Sequence, residues 1–121
     1  MAVARFTSFV DTTEQTVLAT ACMVTSVLIK ANKNQSAEAW LSLYNNATPT
    51  PGTTEPDVVL PIDTLAKSGK GMFKFIFPGG IAFDTACTVF VSQTSPIDAT
   101  AAATTVAPEE ILVFYQPGRT A

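Results

Sequence analysis

The stretch AWLSLYNNATPTPGTTEPDVVLPI, residues 39–62, holds two apolar runs around a spacer of Asn, Thr, Pro and Gly. In the first run Leu41 and Leu43 alternate with Trp40, Ser42 and Tyr44. In the second, Val58, Leu60 and Ile62 fall on one face. A two-residue period marks a strand with one buried face, and the β-branched and aromatic content agrees. Pro61 removes a backbone donor, which places the second run at a sheet edge or a strand end. The spacer suits turns rather than a helix, so the unit reads as strand, long loop, strand.

Runs of the same kind recur on both sides. Residues 3–10 (VARFTSFV) read as a first strand. Residues 16–21 and 22–33 follow as one bent strand or as two. Residues 71–78 place Phe73, Phe75 and Phe77 opposite Met72, Lys74 and Ile76. Residues 80–94 are long enough to bend or to make two short strands, and residues 109–117 close the chain. Between them, PGG at 78–80 reads as a tight turn, AKSGKG at 66–71 as a polar turn and NKNQS at 32–36 as a short hairpin loop. Residues 46–56 and 95–108 are long connections, a class that is often functional. The spacing shows no amphipathic helix of normal length, no internal repeat, no linker and no second domain. The expectation is one all-β domain over residues 1–121, with about eight strands in a sandwich or a barrel.

The composition narrows the function. Of 121 residues, 47% are hydrophobic and only 14% charged, against about 25% in ordinary soluble domains. Mean hydropathy is +0.29. A surface so poor in charge fits a protein that works in contact with neighbours. Seven basic residues against ten acidic ones give a net charge of −3. Apart from Lys67, Lys70 and Lys74 the basic residues are scattered, which argues against direct nucleic-acid binding. The most apolar window, residues 16–29, is shorter than the roughly 20 residues a bilayer helix needs, so no membrane association is expected. The first residues lack the pattern of a signal peptide, which points to synthesis in a cytoplasm. Cys22 and Cys87 each sit in an apolar run, TACMV and TACTV, and read as buried free thiols.

Candidate chemistry is sparse. The chain has no histidine, which removes the commonest general base and metal ligand and the usual serine or cysteine triads. The two cysteines are too far apart in sequence for a CxxC metal site. Asp57, Asp63, Asp84, Asp98 and the Glu109–Glu110 pair are the carboxylates available for acid–base work, and most fall at strand ends or in loops. KSGKG at 67–71 lacks phosphate-loop spacing and a following helix. No enzyme activity, metal or cofactor is expected. Trp40 and Tyr44 share a strand face, where they either pack a core, stack a sugar or anchor a partner. Phe6 and Phe9 lie on opposite faces of the first strand, so one of them is available to a neighbour.

Residues 24–62 show a strand ending near KANKN, a Ser/Ala loop and a strand ending in Leu43-Tyr44-Asn45. A loose P…GT..P loop over residues 51–56 and an apolar strand follow. Further on come Gly80-Ile81-Ala82-Phe83, a Thr-rich stretch and a last strand ending in Tyr115. This succession resembles small structural proteins of tailed bacteriophage virions, and it departs from their pattern at Asp84-Thr85-Ala86. The resemblance implies an antiparallel β-sandwich, often jelly-roll-like. It implies a virion protein of the capsid decoration or cement type, with a neck, tail or baseplate component as the alternative. A carbohydrate-binding β-sandwich using Trp40 and Tyr44 is a further alternative. The partners implied are other copies of the chain, a trimer foremost, and the major capsid protein or other virion proteins. The expected contact residues are Phe6, Phe9, Trp40, Tyr44, Pro49, Pro51 and Pro56, with the 46–56 loop lying over a neighbouring subunit.

Overall fold

A computed structural model describes residues 2–7, 15–30, 39–50, 53–62, 72–92 and 110–118. These form eight strands: β1 (Ala2–Phe6), β2 (Gln15–Leu18), β3 (Cys22–Lys30), β4 (Ala39–Tyr44), β5 (Val58–Ile62), β6 (Met72–Phe83), β7 (Cys87–Ser92) and β8 (Glu110–Pro117). They build two four-stranded sheets, ordered β1-β8-β3-β6 and β2-β7-β4-β5, with every pairing antiparallel. The nested pairs β1–β8, β2–β7, β3–β6 and β4–β5 describe one long hairpin. The β3–β8 and β4–β7 pairings roll it into a sandwich. The all-β expectation therefore holds, and the strand order is that of a jelly roll.

Alternation explains the packing. Leu41 and Leu43 of β4, Val24, Val27 and Ile29 of β3, Val89 and Val91 of β7, and Ile111 and Val113 of β8 fill the space between the sheets. Phe6, Val17, Leu60 and Phe83 close its margins, and Phe75, Phe77 and Tyr115 pack against it. Each such side chain taken from water contributes about 1.5–3 kcal/mol. Pro61 lies on β5, an edge strand, where its missing donor costs no ladder bond.

Two local readings are corrected. Pro78-Gly79-Gly80 is not a turn between strands but lies inside β6. The register passes from Val24↔Ile81 to Ser26↔Ile76, so four β6 residues face the single Thr25. This bulge needs the positive φ of Gly79 (81°) and Gly80 (79°), and β6 tolerates Pro78 because it is an edge strand. The segment read as a hairpin loop, 32–36, lies outside the described residues, and the strands on either side of it, β3 and β4, belong to different sheets and are not a hairpin. Of the two readings open for residues 16–33, the two-strand one holds over the described part: β2 and β3 lie in opposite sheets. The segments at 66–71 and 95–108 lie outside the described residues.

A short internal repeat also emerges. Advancing each strand number by four maps the order β1-β8-β3-β6 onto β5-β4-β7-β2, which is the other sheet read backwards. Two corners obey the same relation in sequence. Leu18-Ala19-Thr20-Ala21-Cys22 carries the chain from β2 to β3, and Phe83-Asp84-Thr85-Ala86-Cys87 carries it from β6 to β7. The pairings match as well: Leu18 lies opposite Cys87, and Phe83 opposite Cys22.

Candidate interaction surface

The outward face of the β1-β8-β3-β6 sheet is built in rungs. Val3, Phe114, Ser26 and Ile76 form one, and Arg5, Leu112, Leu28 and Lys74 the next. Glu110, Lys30 and Met72 form a third. An antiparallel sheet facing water normally presents polar residues there. Here Ile76 is 65% exposed, Met72 60% and Val3 50%, and Leu28, Leu112 and Phe114 are half-buried beside them. The apolar positions are stitched with charge. Arg5 Nε lies 3.1 Å from Glu110 Oε2, and Lys74 Nζ stands 6.0 Å from the centre of the Phe114 ring. Both are surface contacts of about 1 kcal/mol or less. Their effect is to hold two long side chains against the apolar rungs.

Charge is segregated along the strands. Among the described residues the cations are Arg5, Lys30 and Lys74, all on this face. The anions Glu55, Asp57 and Asp84 lie in the β4–β5 loop and the β6–β7 corner, which meet at the Cys22 end of the sandwich. Lys30 and Met72 end the sheet at the opposite side. The fourth described anion, Glu110, sits on the sheet face itself, paired with Arg5, so among the described residues the face keeps three cations to one anion and the far end carries three anions.

The β2-β7-β4-β5 sheet is different. Every residue of β7 is buried, including Thr88, Phe90 and Ser92, which alternate with the inward Cys87, Val89 and Val91. Tyr44 and Phe90 form a second small cluster outside the main core. Ser42, opposite Phe90, is also fully buried, and its Oγ has no hydrogen-bond partner. A buried hydroxyl left so costs about 1–3 kcal/mol.

The loop between β4 and β5 is fastened to its own sandwich. Asn45 N–H donates to Asp57 Oδ2 (2.7 Å), and Asp57 N–H donates to Leu43 O (2.9 Å), closing the neck of the loop. Asn45 Oδ1 accepts from Thr85 N (2.9 Å) and Ala86 N (3.4 Å) of the β6–β7 corner. Thr88 Oγ1 donates to Asn46 O (2.6 Å), and Thr48 N–H donates to Asn46 Oδ1 (2.7 Å) in an Asx turn. At the tip, Thr53 and Thr54 N–H donate to Thr50 O, and Thr54 Oγ1 accepts from Thr50 N. These polar groups are used inside the chain rather than held out to a neighbour.

The residues expected to make contacts are scattered. Phe6 is 8% exposed and belongs to the core, because β1 turns it inward beside Ala4. Tyr44 and Pro49 are buried by the chain itself, while Trp40 and Pro56 are half-buried. Phe9 and Pro51 lie outside the described residues. Trp40 and Tyr44 do share a face, but Tyr44, at 0% exposure, offers no ring to a sugar. The residues that sequence reasoning missed are Val3, Met72, Ile76 and their rung partners. The available signal was the run MFKFIF, which is apolar at Met72 and Ile76 as well as on its Phe face.

Among the described residues no group of three His, Cys, Asp or Glu side chains is placed to hold a metal ion. Nor, among them, is any helix long and apolar enough to cross a membrane. Compared with protein-family models, with curated proteins and with solved structures, the chain finds no match.

Proposed function

We propose that this chain is a non-enzymatic structural protein of a bacteriophage virion, binding the capsid surface and reinforcing it. The observation that carries the reading is the exposed face of Val3, Met72 and Ile76, set among Arg5, Lys30 and Lys74. A face of this kind is covered in an assembly, and its burial is the driving force for attachment. Many modest contacts repeated over identical copies then hold firmly what one contact does not. The jelly-roll order supports the reading, since it recurs in viral capsid domains, though it serves lectins too.

The charge segregation favours a head-to-tail arrangement. The cationic sheet face of one copy meets the acidic Glu55, Asp57 and Asp84 end of the next. Contacts of this kind close into a ring when the rotation permits, and a trimer is the ring proposed. The remaining apolar surface sits on the major capsid protein.

The test is co-sedimentation of the purified protein with capsid shells lacking it, alongside Ile76→Glu and Met72→Glu. The unaltered protein is expected to saturate the shells at many copies per particle, and the two variants to stay in the supernatant. Absence of binding to shells, or equal binding by all three proteins, overturns the reading. Saturation at a handful of copies moves the protein to the neck, tail or baseplate.

A further inference from the structure

Cys22 and Cys87 enter the same core cluster at the end of the sandwich where the chain passes between the sheets. Each ends a Thr-Ala-Cys corner, each corner passes between the two sheets, and each cysteine faces the residue that opens the other's corner. Both are 0% exposed, both belong to the same core cluster, and the two thiols are near enough to perturb each other's titration. β3 and β7 belong to opposite sheets, which no backbone ladder joins.

We propose that Cys22 and Cys87 are a disulfide-forming pair, whose oxidation by a small-molecule disulfide such as glutathione disulfide bolts the two sheets together through the core. The first thiol, as thiolate, attacks one sulfur of glutathione disulfide and expels one glutathione thiolate. The second attacks the protein sulfur of that mixed disulfide and expels the other. The protein loses two protons and two electrons. Glutathione disulfide gains both electrons, and the two leaving thiolates take up the protons. Closure brings the two sulfurs to a bond length of about 2.05 Å.

Two consequences separate this pair from accidental neighbours. The bond closes a loop of roughly 65 residues, which restricts the unfolded chain strongly. Oxidation in the folded state is slow, because burial pushes both thiols up and only a thiolate attacks. At Cys87 the adjacent Cys22 and then Asp57 push in the same direction. The reduced chain thus keeps its thiols through short exposure to oxidant, and the bond once made is sealed from reductant.

The experiment uses the full chain, purified reduced and refolded in a glutathione buffer with the oxidised form in excess. Free thiols are then alkylated in non-reducing denaturant, and the intact mass is measured. The expected product is monomeric, about 2 Da lighter than the reduced chain and unalkylated, with a peptide containing Cys22 joined to one containing Cys87. Its melting temperature is expected to exceed that of the reduced protein by on the order of 10 °C. Two alkylated thiols, two bound glutathiones or a chain-to-chain disulfide overturn the proposal. An internally linked product that melts no higher than the reduced protein does so too, because the bond then forms only by distorting the fold.

Discussion

The two sheets have the same number of strands, the same antiparallel pairing and equivalent orders, yet their outward faces are treated in opposite ways. On the β2-β7-β4-β5 sheet, Phe90, Tyr44, Ser42, Thr88 and Ser92 are closed off from water by the chain itself. On the β1-β8-β3-β6 sheet, Ile76, Met72 and Val3 stand open. The closure is not complete, since Val59 on the β5 edge, opposite Ser42, is 38% exposed, but the three most open large apolar residues all lie on the other sheet. A monomer optimised for life alone would turn them inward. The contrast is the ground for proposing the open face as the contact surface.

The comparison is broken or sharpened by substitution on each face. Phe90→Ala removes a large side chain from a closed site, 2% exposed, and is expected to cost about 3–5 kcal/mol in urea unfolding. Ile76→Ala, on the open face, is expected to change the stability of the isolated chain by no more than about 0.5 kcal/mol while weakening association. Equal losses at the two positions would erase the distinction.

Gly80→Ala comes next. Gly80 has φ 79°, and a Cβ there would overlap Cγ and Sδ of Met23 on the neighbouring strand. A loss of about 1–3 kcal/mol is expected, read as a fall in melting temperature. Gly79→Ala, which meets nothing within 4 Å, carries only the φ penalty and falls less. The ordering of these two variants tests whether the β6 bulge is packed or merely tolerated.

Ser42→Ala works in the opposite direction. It deletes a buried hydroxyl without a partner, so the variant is expected to gain about 1 kcal/mol in the same urea assay. A loss of stability would mean that Ser42 is engaged and that the closed face is less dry than described. The smallest effect belongs to Arg5→Ala. It breaks the contact with Glu110 at a residue whose side chain is 66% exposed, and stability should move by less than about 1 kcal/mol.

Much of the architecture was legible because strands write their period directly into the sequence. Leu41 and Leu43 against Trp40, Ser42 and Tyr44, or Phe75 and Phe77 against Lys74 and Ile76, can be sorted by alternation alone. Pro61 announced an edge by its missing donor, and β5 is one. What alternation lacks is the third dimension. Pro78-Gly79-Gly80 has the composition of a turn, but the sheet absorbs it as a bulge because Thr25 lies opposite and the edge is free. Thr88 and Ser92 have the composition of solvent-facing residues, yet both are buried, a property set by distant parts of the chain. The same limit hid the open apolar face. Val3, Phe114 and Ile76 are far apart in sequence and become one rung only through the β1–β8–β3–β6 register. The repeated Thr-Ala-Cys was visible as two apolar runs, while its meaning as a pair of symmetric corners required the strand order.

The most direct test of the central claim, that the open sheet face is an association surface, is the native mass by light scattering on a sizing column. The account predicts about three times the 12.8 kDa chain mass for the unaltered protein, with Ile76→Glu at the monomer mass and an unchanged melting temperature at concentrations where the variant alone is measured. An Ile76→Glu protein that keeps the mass of the unaltered one, or an unaltered protein that stays monomeric at every concentration, would contradict it.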